Sequence, residues 1–155
     1  MSFSLFSNNF PDLFVISRGG FADIARIETD LDRGDATFDW TGPALRVGTT
    51  GQLRRAADPL GFVVHIADFD GFRIHEKFFD GIVDPDRKEE VRQESSTFVA
   101  VPGLIDPNHF SFRSVKFPDR FIRHRNFQLF AEPVNAPREL QDATFRIAPP
   151  QNASS

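Results

Sequence analysis

Apolar and polar residues alternate from the first positions of the chain, Met1-Ser2-Phe3-Ser4-Leu5-Phe6, and predict a strand beginning almost at residue 1. The alternation returns over Phe110–Phe117, followed by an aromatic-rich run, Phe121–Phe130, and a short third run, Thr144-Phe145-Arg146-Ile147. Between the first two lies Phe117-Pro118-Asp119-Arg120, with Pro and Asp in turn-forming order. A helical period is absent, apart from a charged stretch, Asp84–Gln93, with room for one helical turn. The pattern predicts an all-β chain of short strands.

The strands come in copies. Asp35-Ala36-Thr37-Phe38 recurs as Asp142-Ala143-Thr144-Phe145, with a degraded version, Ser95-Ser96-Thr97-Phe98, between them. Residues 3–38 align with 110–145 without a gap. The pairs Phe3/Phe110, Ser4/Ser111, Ser7/Ser114, Phe10/Phe117, Pro11/Pro118, Asp12/Asp119, Phe14/Phe121 and Arg18/Arg125 join the tetrapeptide to give 12 identities in 36 positions. Chance would supply about two. A middle copy is aligned from Phe62, which sets Phe72-Arg73-Ile74-His75 against Phe121-Ile122-Arg123-His124. The repeats then span roughly 3–45, 60–104 and 108–149, with 46–59 as a polar connector and 150–155 as a frayed tail. Three copies of about four strands are the arithmetic of a single-domain β-trefoil; a propeller wants four or more blades. Most of the repeated Phe residues are expected in the core.

Composition narrows the function. The chain has 155 residues, 40% hydrophobic and 26% charged, which is enough for one globular core. A net charge of −4 argues against a nucleic-acid binder. No apolar run is long enough to cross a membrane. The absence of cysteine excludes disulfides and thiolate chemistry. There are 19 Phe and no Tyr, so polar contacts to a ligand must come from other groups. The amino terminus lacks the features of a secretory signal. A complete chain would then stay in the cytoplasm, whereas one cut from a secreted enzyme would work outside the cell. Asn152-Ala153-Ser154 fits a glycosylation sequon but carries no weight without secretion.

Other chemistry fits poorly. His65, Asp68, Asp70 and His75 follow no metal-ligand spacing, and alternation sets His65 and Asp68 on opposite faces of a strand. Gly19-Gly20 is a turn signal without the flanks of a phosphate loop. The matching carboxylates, Asp35 and Asp142, sit in different repeats, which a trefoil keeps apart, so a hydrolytic carboxylate pair is not expected. No cofactor is implied, and the chain reads as a binding protein, not an enzyme.

The third repeat carries a recognisable string. Phe110-Ser111-Phe112-Arg113-Ser114-Val115 is followed by Phe117-Pro118-Asp119-Arg120-Phe121-Ile122-Arg123-His124-Arg125-Asn126-Phe127, then by Asp142-Ala143-Thr144-Phe145. This resembles the arabinose-binding module of fungal and bacterial α-L-arabinofuranosidase B enzymes, the AbfB domain. The resemblance implies a non-catalytic β-trefoil with up to three pockets, each gripping an arabinofuranose side chain of hemicellulose. It also implies that the His of the Arg-His-x-Asn motif and the Asp of Asp-Ala-Thr-Phe are the polar pair of each pocket. Carried over, repeat three keeps both, as His124 and Asp142, with Asn126 and Phe121 beside them. Repeat one keeps Asp35 but has Ser17 at the His position; repeat two keeps His75 but has Ser95 at the Asp position, next to Glu94. The sugar-binding candidates are therefore His124, Asp142, Asn126, Phe121, Asp35 and His75. Phe121, Phe14 and Phe72 stand where the family has Tyr, and Arg125 where an aromatic residue is common.

The chemistry of such a pair is plain. A carboxylate accepts two hydroxyl hydrogens at once, and a neutral imidazole donates from one nitrogen and accepts at the other. An aromatic face covers the apolar side of the ring. One small pocket should bind with Kd of about 0.1–1 mM, or about −4 to −5.5 kcal/mol; several pockets on a branched polymer would add avidity. The expected partner is an arabinose-containing polysaccharide or another glycan, with no nucleic acid and no membrane. Asp142 and Asp35 also have a structural reading, closing a turn on backbone N–H groups. Arg120, Arg123 and Arg125 form either a solvated rim or an attractant for an anionic sugar. A second reading is a protein-interaction or inhibitor module with decayed sugar pockets, using loops such as 46–59 and 80–93. A solvent-open His124–Asp142 pair favours the glycan; a buried, fully hydrogen-bonded pair counts against it.

Overall fold

Six strands close into a barrel and three hairpins cap one end of it. The computed structural model describes residues 2–18, 20–42, 44–56, 61–65, 72–78 and 96–151, with the backbone alone at 18, 61–65 and 76–78. The strands are β1 (Ser2–Ser7), β2 (Phe14–Arg18), β3 (Phe21–Ala25), β4 (Phe38–Trp40), β5 (Thr50–Arg55), β6 (Gly61–His65), β7 (Ile74–Phe78), β8 (Thr97–Pro102), β9 (Phe110–Ser114), β10 (Phe121–Arg125), β11 (Gln128–Glu132) and β12 (Phe145–Ala148). Antiparallel pairing runs β1–β4–β5–β8–β9–β12 and returns to β1, a closed ring of six. The hairpins β2–β3, β6–β7 and β10–β11 meet through three bridges, Phe21↔His75, Gln128↔Asp23 and Arg73↔Phe130. Every pairing thus occurs three times, which is the β-trefoil predicted from the repeats. Closure leaves the barrel strands no open edge.

The register fixes which residues are equivalent. Phe6↔Phe14, Arg54↔Phe62 and Arg113↔Phe121 join the first two strands of the successive repeats. The middle repeat therefore begins with β5, inside the stretch 46–59 that the sequence suggested was a connector. Phe62 lies in the second strand of its repeat, and matching it to Phe110, in a first strand, displaced the alignment. The hairpin pairs Ser17↔Ala22, His65↔Ile74 and His124↔Leu129 then make His65, and not His75, the counterpart of His124. His75 corresponds to Phe130 and Asp23 in the cap. β5, Thr-Gly-Gln-Leu-Arg-Arg, carries little of the Phe-rich pattern, so hydrophobicity alone aligns the middle repeat from β6.

The tetrapeptide alignment holds. Phe38, Phe98 and Phe145 are each at most 1% exposed and form one threefold core layer. Leu5, Leu53 and Phe112 form another. Where repeats one and three place Phe3 and Phe110 against β4 and β12, the middle repeat has Gly51. Trp40 takes that volume: a Cβ on Gly51 would lie 2.6 Å from the indole Cε2.

Two six-residue helices were not visible in the sequence, α1 (Asp30–Asp35) and α2 (Pro137–Asp142). One and a half turns are too few to show a period. Each is held at its start by a carboxylate. Asp32 accepts from the N–H groups of Glu28 and Thr29, while Thr29 Oγ1 accepts from Asp32 N–H. Glu139 accepts from Ala136 and Asn135 N–H, which holds its carboxyl below the usual range. Each helix ends on the Asp of the tetrapeptide. Thr37 and Thr144 close the following turns by donating to Arg33 and Leu140 carbonyls, both at 2.8 Å. The Asp carboxylates are thereby free for other partners. The charged stretch 84–93, Glu94 and Ser95, Asp68 and Asp70, the loop 80–93 and the tail after Gln151 lie outside the described residues.

Candidate functional site

Repeat three brings His124 and Asp142 together across 18 residues of chain, and a loop of repeat one completes the site. His124 sits at the end of β10 and Asp142 at the end of α2, with Nε2 and Oδ1 3.7 Å apart. Asn9, from the β1–β2 loop, lies between them. Its Nδ2 donates to Asp142 Oδ1 at 2.8 Å, and its Oδ1 lies 2.9 Å from His124 Nε2. An amide oxygen only accepts, so the neutral ring carries its proton on Nε2. Ser7 Oγ, 3.0 Å from the same nitrogen, donates to Asn9 Oδ1 and accepts from Phe10 N–H. Arg123 Nη2 donates to Asp142 Oδ2 at 2.8 Å, and its other nitrogen approaches Glu132 and Glu139 at 3.5 and 3.8 Å. Asp142 therefore accepts from an arginine and an amide and is not spent on closing a turn.

Burial governs the imidazole. His124 is 3% exposed and Asp142 5%. Desolvation lowers the His124 pKa below 6.5; Asp142 pulls it upward, and Arg123 and Arg138 push it down. The net direction is down, so the ring is neutral at pH 7. The pair is thus buried and bonded within the chain through Asn9, which is itself partly exposed, and the hydrogen bonds to the imidazole fall on Nε2.

Aromatic rings frame the mouth. Phe10 stands edge-on to His124 at 5.5 Å and lies 6.2 Å from Phe127, which is 58% exposed. Asn126 and Phe127 form the β10–β11 turn with φ of 53° and 64°. The positive φ at Phe127 has a structural cause: its carbonyl accepts from Ile24 N–H of the next hairpin, as the carbonyl of Phe72 (φ 67°) accepts from Ala131 N–H. Among the predicted residues, Asn126 is exposed at this turn. Phe121 lies at the start of β10, opposite Arg113 of β9; the rings against His124 are Phe10 and Phe145.

The remaining candidates are elsewhere. Asp35 receives a 2.8 Å hydrogen bond from Arg55 Nη1, an ion pair with side chains 7% and 19% exposed. His75 is in the cap, 4.7 Å from the Phe21 ring. Arg125 pairs with Glu132, and Arg120 stacks 3.4 Å over Phe72, so of the three arginines only Arg123 reaches Asp142. Ser7, Asn9 and Phe10 are not among the residues the sequence singles out for the site, and Arg123 enters there only as part of a solvated rim or an attractant for an anionic sugar. The Phe10/Phe117 identity is the available signal, since a surface loop has no packing reason to repeat. Among the described residues no group of three metal-ligating side chains gathers, and no helix is long and apolar enough to cross a membrane.

Fold and family together define a β-trefoil carbohydrate-binding module. The chain belongs to the alpha-L-arabinofuranosidase B (AbfB) domain family, whose model matches residues 66–155, more than half its length. Over 72 residues it is 36% identical to alpha-L-arabinofuranosidase B of Aspergillus niger, and over 65 residues 37% identical to that of Aspergillus kawachii. These matches cover 46% and 41% of this chain but only 14% and 13% of the fungal proteins. Among solved structures, an arabinofuranosidase complexed with arabinofuranosyl-α-1,2-xylobiose superposes with a TM-score of 0.75 at 15% identity, covering 98% of this chain and 31% of that one. The BEL β-trefoil superposes at 0.67 with 12% identity, covering 96% and 92%. At these identities the superpositions establish the fold alone.

Proposed function

We propose that the protein is a non-catalytic module that binds arabinofuranosyl-substituted glycans at the repeat-three site. The observation that carries this reading is the trio His124, Asp142 and Asn9. The Asn9 carboxamide gives an N–H to the carboxylate and an oxygen to the imidazole N–H. Two adjacent sugar hydroxyls offer the same pattern, one donating and one accepting. A ligand would replace the Asn9 amide or dock against its outer side, with Phe10 and Phe127 beside the apolar face of the ring. The fungal relatives are named as arabinofuranosidases, and the superposed enzyme holds an arabinofuranosylated xylobiose, which supports arabinofuranose as the sugar.

The competing reading is a protein-interaction module with decayed sugar sites. The burial of the His124–Asp142 pair and its bonding within the chain favour it. Calorimetric titration with arabinofuranosyl-α-1,2-xylobiose, beside unsubstituted xylobiose, separates the two. Saturable heat with Kd of about 0.1–1 mM, abolished by Asp142→Ala and absent with xylobiose, is the expected result. No heat at millimolar ligand from the folded protein refutes the arabinose reading.

A further inference from the structure

The three repeats distribute buried charge by a rule visible only in the strand register. Ser7, Arg55 and Ser114 are equivalent, because each pairs with the tetrapeptide Phe of the neighbouring strand: Phe145, Phe38 and Phe98. Ile16, Val64 and Arg123 are equivalent through their hairpin partners Asp23, His75 and Phe130. At the repeat-three site Asp142 is neutralised from behind by Arg123, while Ser7 leaves room in front for His124 and Asn9. At the repeat-one site Ile16 stands behind, and the cation comes from the front, as Arg55 on Asp35 at 2.8 Å. Ser17, the counterpart of His124, has a fully buried hydroxyl with no hydrogen-bond partner among the described residues. A buried unpaired hydroxyl is uncommon in a folded protein and calls for a physical reason.

We infer that Arg55 occupies and closes a second binding position in repeat one, and that the side from which each buried aspartate is neutralised decides whether its site can take a ligand. The repeat-one position is then closed because of Arg55, and moving that arginine behind the aspartate, by Ile16→Arg with Arg55→Ser, opens it. The sugar specificity of the opened site rests on the proposed function; the closure by Arg55 does not.

The chain has no cysteine, so Ser17→Cys is a single reporter of access. The rate of its reaction with an aromatic disulfide reagent is measured under native conditions in two backgrounds, Arg55 and Ile16→Arg/Arg55→Ser. Opening should accelerate labelling about tenfold or more, since a thiol reacts only when reached. Equal rates in two folded proteins overturn the inference. If the charge-shifted background does not fold, Asp35→Ser/Arg55→Ser removes both charges, reproducing the Ser95 and Ser114 pattern of repeat two, and serves the same readout. A ligand arm uses Ile16→Arg/Ser17→His/Arg55→Ser in an Asp142→Asn background, titrated with arabinofuranosyl-α-1,2-xylobiose. Binding by this variant but not by Asp142→Asn alone supports an opened site. If the unaltered protein fails to bind, the proposed function falls, while the labelling rates still decide on Arg55.

Discussion

Replacing Arg123 with Ile tests whether the Asp142 carboxylate depends on it. An aliphatic residue is acceptable to the hairpin, since the equivalent positions hold Ile16 and Val64. Arg123 and Asp142 have side chains 10% and 7% exposed and meet at 2.8 Å. Removing one partner of such a pair strands a buried charge and costs about 3–5 kcal/mol. Asn9 would still donate to Asp142, so the lower end, about 3 kcal/mol, is expected. For a chain of this length that is a fall in Tm of roughly 6–12 °C. Asp142→Ser should cost less, because Arg123 retains Glu132 and Glu139 nearby. The double variant copies the Val64 and Ser95 pattern of repeat two, and should be about 2 kcal/mol more stable than the sum of the single changes. Urea unfolding followed by circular dichroism gives all four stabilities. Additivity within about 0.5 kcal/mol would show that the pair contributes no coupling, and the charge rule drawn from it would fail.

His124 predicts an acid sensitivity. Its folded pKa lies below 6.5, so below that pH the unfolded chain binds the proton more readily, and stability falls as pH drops from 6.5 toward the folded value, by at most about 1.4 kcal/mol per pH unit. The contribution is flat above pH 7, and comparing unfolding of His124→Ser with the unaltered protein across pH 4–8 isolates it. Gly51→Ala should destabilise by about 1–3 kcal/mol, because its Cβ meets Trp40 and the Gly42 nitrogen at 2.6 and 2.8 Å; thermal unfolding of Gly51→Ala with and without Trp40→Phe locates the clash. Asn9→Ala removes the group bridging His124 and Asp142; calorimetry should show altered affinity for the arabinosylated ligand, whereas an unchanged Kd would place the sugar elsewhere.

Much of this protein is legible in the residue string. The repetition of Asp-Ala-Thr-Phe and the recurring Phe positions establish three copies, and an all-β repeat of that length has few ways to bury its apolar face other than a trefoil. The resemblance of the third repeat to the AbfB module also selected His124 and Asp142, which belong to two motifs of that one repeat. Three things required the folded chain. The middle repeat's first strand, Thr50–Arg55, is mostly polar, so hydrogen-bond register and not hydrophobicity identifies it. The repeat-three site borrows the first strand and loop of repeat one, and Ser7, Asn9 and Phe10 reach His124 from 114 or more residues away. The partner of a buried carboxylate is chosen by direction, and only the tertiary arrangement shows that Asp142 meets Arg123 while Asp35 meets Arg55. Periodicity records which face of a strand is buried; it does not record which distant side chain that face encounters.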